Sequence, residues 1–118
     1  MVSQTLAQEV STLEADLCSA FADSTRILIL YTLNEKPRNV TELSEELAIS
    51  QPKTSRHLKI LRDRGLVRTE RQGNSIIYRL ADERLIQALD LLRGVLHDRI
   101  RYRADLMEEI GEESDFSL

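Results

Sequence analysis

Residues 50–80 constrain the fold more than any other stretch of this chain. They read SQPKTSRHLKILRDRG and then LVRTERQGNSIIYRL. Ser50 stands where a helix N-cap accepts from the backbone, and Pro52 falls in the first turn, where a missing N–H does no harm. Gly65 marks the helix end, since glycine leaves a helix in the left-handed conformation without steric cost. LVRTER and SIIYRL follow at once, both carrying β-branched or aromatic residues, with turn chemistry at Gln72-Gly73-Asn74 between them. That pattern is a β-hairpin. A helix that stops at glycine and feeds straight into a hairpin leaves few architectures open.

The flanking segments narrow them further. Leu6, Val10, Leu13, Leu17 and Ala20 recur at helical steps, so residues 3–21 read as a helix. Asp23 or Ser24 caps a second helix, TRILILYTLNE, whose Ile27, Leu28, Leu30, Tyr31 and Leu33 leave little polar surface and place it in the core. KPRN breaks it, because proline removes a backbone donor and restrains the residue before it. Thr41 begins a third helix running to about Ala48, with Leu43 and Leu47 on its inner stripe, and AIS makes a short turn. From about Asp82 the helical pattern returns and continues to Ile110. The remaining GEESDFSL is acidic and is expected to be disordered.

The expected fold is therefore mainly α with a small β-hairpin: helix, helix, helix, turn, helix, hairpin, long helix. Two helices joined by a tight turn and followed by a hairpin form a winged helix-turn-helix. Residues 1–110 are expected to make one domain, with the first helix in 1–21, the winged core in 22–80, the wing in 66–80 and the last helix in 81–110, followed by a disordered tail over 111–118. A length of 118 residues suits one such domain.

Composition removes several function classes. Cys18 is the only cysteine, which rules out an intrachain disulfide and a Cys-rich zinc site. No apolar run approaches the ~20 residues of a membrane span. The N-terminal segment carries Glu9, Glu14 and Asp16 in place of a basic region, so it does not read as a signal peptide, and a cytoplasmic location is expected. No Ser–His–Asp or Cys–His arrangement and no phosphate-cradling glycine motif is present, and there are only two histidines, so no enzyme is expected. No cofactor is expected either.

Charge singles out residues 51–79. They hold Lys53, Arg56, Lys59, Arg62, Arg64, Arg68, Arg71 and Arg79 against Asp63 and Glu70, a net of +6; the whole chain is at -4, so the remainder carries -10. On a helical wheel Thr54, Leu58 and Leu61 face inward. Pro52, Ser55, Arg56, Lys59 and Asp63 face outward, with Gln51 and Lys53 near the N-terminal end. Such a face suits the DNA major groove: arginine reads guanine and glutamine reads adenine by paired hydrogen bonds, while serine and lysine take phosphates. An ordinary solvated face is the plainer alternative, but the helix-turn-helix spacing and the basic hairpin favour duplex DNA.

These residues carry a family resemblance. LCSAFADSTRILILYTL and TELSEELAISQPKTSRHLKILRDRGLVRTERQGNSIIYRLAD resemble the ArsR/SmtB family of winged-helix repressors, over roughly residues 16–82. The matching elements are Ala22-Asp23-Ser24-Thr25-Arg26 at the second helix, the recognition-helix pattern with Ile49 in place of its leucine, the exit through Gly65, and the wing through Gly73, Tyr78 and Leu80. The resemblance implies a homodimer whose first and last helices pack across a two-fold axis, a palindromic operator, and release by an inducer that nothing in the sequence names. The implied DNA-binding set is Ser50, Gln51, Lys53, Ser55, Arg56, His57, Lys59 and Arg62 with Arg71, Gln72 and Asn74 at the wing tip. The implied dimer interface is Leu6, Val10, Leu13, Leu85, Leu89, Leu92, Leu96 and Ile100. Gly94, which costs about 1 kcal/mol in mid-helix, would be justified by close approach of a partner helix.

The family's metal ligands do not carry over. The cysteine pair that thiolate sensors place before the turn is replaced by the run from Arg38 to Leu43. Asp82 and Asp98 match two carboxylate positions of the zinc-type sensors, but Arg84 and Val95 occupy the histidine positions, and His97 lies off register. Two carboxylates without imidazole or thiolate suit soft or borderline metals poorly, so no metal site is expected. Cys18 reads first as a small buried apolar residue and second as a thiol sensor near the two-fold axis. Against the repressor stands a winged-helix protein-interaction module that binds no DNA.

Overall fold

The structure, a computed structural model, describes the backbone of residues 1–116 and the side chains of residues 1–111. The elements are α1 (Gln4–Leu13), a π-helical turn (Glu14–Cys18), a 3-10 turn (Ala20–Ala22), α2 (Ser24–Glu35), α3 (Val40–Leu47), α4 (Gln51–Asp63), β1 (Val67–Gln72), β2 (Ser75–Leu80) and α5 (Arg84–Phe116). The chain divides into two compact units, Met1–Ile86 and Gln87–Leu118. No helix among the described residues is long and apolar enough to cross a membrane.

Local chemistry explains where each element starts and stops. Asp23 caps α2, its carboxylate accepting from the Thr25 and Arg26 amides at 2.8 and 3.2 Å. Asn39 caps α3, which starts at Val40, one residue before the Thr41 start that the TELSE pattern suggests. Its side chain accepts from the Glu42 amide at 2.8 Å while Glu42 accepts from the Asn39 amide at 3.1 Å, a reciprocal capping box. Ser50 caps α4 as expected, accepting from the Lys53 amide at 3.3 Å. At the far end the Leu66 amide donates to Leu61 and the Gly65 amide to Arg62, the paired bonds of a Schellman motif, with Gly65 at φ +79°. The same two bonds end α3, from Ile49 to Ser44 and Ala48 to Glu45, but there Ala48 is left-handed, at φ 54°.

The wing is an antiparallel pair in register from Val67 opposite Leu80 to Gln72 opposite Ser75. A two-residue turn joins the strands, with Gly73 at φ +62° in its first position. Arg38, between α2 and α3, adds an isolated antiparallel bridge to Tyr78 and clips the wing to the helices.

The core lies among α2, α3, α4 and the base of the wing: Ile29, Leu30, Leu43, Leu58, Leu61 and Leu66 are fully buried. Each such side chain contributes about 1.5–3 kcal/mol by leaving water. Of the α2 residues expected in the core, Leu30 and Leu33 are buried, Ile27 and Tyr31 are half-buried and Leu28 faces solvent, while Ile29, not among those expected, is fully buried.

Two helices differ from their sequence patterns. The continuous helix suggested over residues 3–21 is α1 followed by a π turn, in which the Ser19 amide reaches back five residues to Glu14 at 3.0 Å. Arginines from elsewhere hold the wider turn. Arg64 Nη1 donates to the Ala15 carbonyl and the Ser19 hydroxyl, and Arg26 donates to the Ser19 and Ala20 carbonyls at 3.2 and 2.9 Å. At the other end, α5 does not stop at Ile110 but runs to Phe116. Gly111 costs only about 1 kcal/mol in a helix, and the glutamates after it are good helix formers. Ser117 and Leu118 of the expected tail lie outside the described residues.

Candidate nucleic-acid interface

α4 separates its residues as its periodicity demands. Thr54, Leu58 and Leu61 are buried; Gln51, Pro52, Lys53, Ser55, Arg56, Lys59, Arg62 and Asp63 are exposed. The burial of Thr54 carries no polar penalty, because its hydroxyl donates to the Ser50 carbonyl at 2.8 Å. Gln51 is pinned to the preceding helix, its Nε2 donating to Thr41 Oγ1 at 3.3 Å, so the turn sets both helices of the motif relative to one another. Among the described residues no ion pair or hydrogen bond engages the side chains of Lys53, Arg56, Lys59 or Arg62. Their charge is available to a ligand.

Two other cations of the basic stretch, Arg64 and Arg79, are engaged within the protein. Arg64 is tied to Ala15 and Ser19, far from the outward face of α4. Arg79 pairs with Glu70 at 3.1 Å, which relieves the repulsion of Arg68 and Arg79 standing opposite each other in the hairpin. At the wing tip Arg71, Gln72 and Asn74 are exposed, with Arg71 Nε 3.4 Å from the Gly73 carbonyl. The tip stands about 17 Å along the strand from Val67.

His57 is half-buried and takes part in a cluster that the sequence patterns do not foretell. Arg26 Nη1 lies 3.5 Å from His57 Nδ1, while the same guanidinium holds the Ser19 and Ala20 carbonyls. Burial pushes the His57 pKa down, the Asp23 carboxylate pushes it up, and Arg26, Lys53 and Arg56 lower it again; the balance is below the ordinary value. A neutral ring that accepts from Arg26 at Nδ1 keeps its proton on Nε2. Burial raises the Asp23 carboxyl, but the Arg26 and Thr25 amides, with His57 and Arg26, outweigh this and hold it below its usual range. The only sequence signal for the cluster was the Asp23–Arg26 spacing; nothing local announced Arg64.

The residues expected at a dimer interface are divided. Leu6, Val10, Leu13, Leu92, Leu96 and Ile100 are exposed by 45–61%, Leu85 is half-buried and Leu89 is buried. A Cβ built on Gly94 would meet nothing within 4 Å. Cys18 is exposed on the π turn, not buried as a packing residue would be.

Asp82 is occupied by Arg84, which donates at 2.7–3.1 Å from its guanidinium and at 2.9 Å from its amide, and these bonds bring the Asp82 carboxyl down to about 2. Among the described residues no group of three or more His, Cys, Asp or Glu side chains is placed to hold a metal ion.

Comparison with known proteins places this geometry among bacterial regulators. The profile of the family described as "Bacterial regulatory protein, arsR family" matches residues 23–69. The HTH-type transcriptional repressor SmtB of Mycobacterium tuberculosis is 42% identical over 78 residues, 66% of this chain and 58% of that protein. The chain thus spans little over half the length of that relative. The HTH-type transcriptional regulator NmtR of the same species is 41% identical over 88 residues, 75% of this chain and 69% of its own. Among solved structures, a homodimeric winged helix-turn-helix DNA-binding domain from Mycobacterium bovis, described as a possible ArsR-family transcriptional regulator, superposes with a TM-score of 0.73 at 25% identity, covering 86% of this chain and 93% of that one.

Proposed function

Since the chain belongs to the arsR family of bacterial regulatory proteins, we propose that it is a homodimeric, sequence-specific DNA-binding repressor of transcription, acting in the cytoplasm without catalysis. One observation carries this reading: α4 presents Gln51, Lys53, Ser55, Arg56, Lys59 and Arg62 outward, and its four cations have no partner among the described residues. An ordinary solvated face also leaves its cations unpaired, so it is their setting, on the second helix of a helix-turn-helix that runs into a basic hairpin, that favours DNA. The names of the relatives, repressor and regulator, support the same reading.

In this reading α4 enters the major groove. Gln51 and Arg56 address base edges, and Ser50, Lys53, Ser55, Lys59 and Arg62 take phosphates. His57 offers Nε2–H to a backbone oxygen. Arg71, Gln72 and Asn74 lie over the neighbouring minor groove or backbone. In a two-fold dimer the two recognition helices stand about 34 Å apart, so the operator is an imperfect inverted repeat of that span. The test is selection of bound fragments from genomic DNA, followed by titration of the selected duplex at several salt concentrations. Nanomolar binding that weakens steeply with salt is expected. Indifference to duplex DNA at low ionic strength would leave the protein-interaction module as the better account.

The exposure of Cys18 favours a second reading within the first, a repressor released by thiol chemistry. Cys18→Ser and Cys18→Ala decide it: release by oxidants that survives both changes removes Cys18 from the mechanism.

A further inference from the structure

Two donors contend for one carbonyl in the π turn between α1 and α2, and we infer that this makes the turn a register switch tied to the recognition helix. With Arg64 engaged, the turn stays π-helical and the exit of α4 is anchored to residues 15–19. With Arg64 released, the turn closes to α-helix and operator affinity falls. The inference rests on the repressor reading above and names a regulation of it.

The contended oxygen belongs to Ala15. In a regular helix it would accept from the amide of Ser19, four residues on. Here that amide reaches Glu14 at 3.0 Å, and the Ala15 carbonyl accepts from Arg64 Nη1 and, at 2.6 Å, from the Ser19 hydroxyl. A carbonyl oxygen has two lone pairs, so both are taken. A serine hydroxyl bonds to the carbonyl four residues back inside ordinary helices too, so the Ser19 hydroxyl keeps its place in either arrangement. The Ser19 amide and Arg64 therefore compete for the other lone pair. Single π turns of this kind often stand at functional sites.

The two sides of the turn are fixed differently. After it, Arg26 donates to the Ser19 and Ala20 carbonyls at 3.2 and 2.9 Å, Ala20 is fully buried, and the same guanidinium lies 3.5 Å from His57 Nδ1 on α4. Before it, Glu14, Ala15 and Asp16 are exposed, as is every residue of α1. A change of register therefore moves α1 and leaves α2 and α4 in place. A slip of one residue turns α1 about 100° on its axis and shifts it about 1.5 Å. Arg64 is the C-cap residue of α4, so its bonds to the Ala15 carbonyl and the Ser19 hydroxyl join the exit of α4 to the turn. An anchored α4 gives up less freedom on entering a groove, so the engaged register favours DNA and, by linkage, DNA favours the engaged register.

The scalar coupling across the Ser19 amide hydrogen bond, measured by NMR on the full isotope-labelled chain, identifies the acceptor without DNA. In wild type it should run to the Glu14 carbonyl, and in Arg64→Ala to the Ala15 carbonyl. Titration of the selected operator should show binding weakened about tenfold in Arg64→Ala, at a temperature where circular dichroism shows the variant folded. The salt slope should stay as in wild type, because Arg64 meets no phosphate; a slope lower by about one would make Arg64 a DNA contact and overturn the switch. So would a variant that keeps the Glu14 bond, one that binds the operator as tightly as wild type, or one in which saturating operator restores the Glu14 bond without Arg64. Any of these beside intact wild-type binding leaves the repressor reading standing. A wild-type chain that binds no duplex overturns that reading and this regulation with it.

Discussion

Arg38 and Tyr78 exchange both of their backbone hydrogen bonds, the Arg38 amide donating to Tyr78 at 3.1 Å and the Tyr78 amide to Arg38 at 2.8 Å. The clip needs no side chain, yet the Arg38 guanidinium is buried beneath it. Nη2 lies 2.9 Å from Glu35, Nη1 pairs with Glu46, and Nε has no partner among the described residues. Removing a buried charge and removing its partners have opposite consequences, because only the second leaves a buried cation alone. Arg38→Met should stay within about 1 kcal/mol of wild type, whereas Glu35→Gln/Glu46→Gln should cost about 1–3 kcal/mol, toward the low end because both carboxylates reach water. Urea unfolding measures both, and a larger loss for the methionine variant would refute the asymmetry.

Ala48 ends α3 in the left-handed conformation at φ 54°, where its Cβ crowds the backbone. That position costs a non-glycine residue about 1–2 kcal/mol. Glycine removes the strain and gives back part of the gain through the freer unfolded chain. Ala48→Gly should stabilise the protein by about 0.5–1 kcal/mol, read as a rise in the thermal midpoint. It should also leave the turn intact, because the bonds from Ala48 and Ile49 to Glu45 and Ser44 use backbone atoms alone. A lower midpoint would mean that Ala48 is not strained.

Much of this arrangement was legible in local chemistry. Ser50 and Gly65 bound α4 because caps act within one turn, and Thr54, Leu58 and Leu61 face inward because the helical period is short-range information. The hairpin announced itself through Gly73. Long-range contacts were not legible. The π turn at Glu14–Cys18 is held by Arg64, 49 residues from Ala15, so no pattern near residue 15 records it. For the same reason Arg64 and Arg79 look like surface cations in a charge count, although one supports α1 and the other neutralises Glu70. In the candidate site the outward residues of α4 followed from periodicity, whereas the Asp23–Arg26–His57 cluster joins two helices and needed the fold.

Arg56 and Arg71 should fail in different ways. Arg56 lies on the outward face of α4 with its guanidinium free to address a base pair, so Arg56→Ala should cost about 1–3 kcal/mol on the operator and narrow its advantage over random duplex. Arg71 sits at the wing tip, where the proposed complex would bring it to the phosphate backbone. Arg71→Ala should weaken all duplexes alike and lower the salt slope by about one. Binding isotherms on both kinds of duplex at several salt concentrations separate the two. Unchanged discrimination in the Arg56 variant would remove its base contact.

His57 should make folding sensitive to mild acid. Burial holds its pKa below the ordinary 6.5, with Arg26, Lys53 and Arg56 adding to the effect and Asp23 opposing it. The unfolded chain therefore takes up the proton first as pH falls. The stability associated with the neutral ring is complete above pH 6.5 and declines from there down to the folded-state pKa. The Cε1 proton of His57, followed by NMR, should titrate below 6.5. Asp23→Asn should move it lower still, because the amide keeps the helix cap but removes the one charge that favours the imidazolium. His57→Gln should abolish this contribution to the pH dependence of unfolding. A midpoint above 6.5, or an upward shift in the Asp23 variant, would show that burial does not govern this ring and that its Nδ1 is not the acceptor for Arg26.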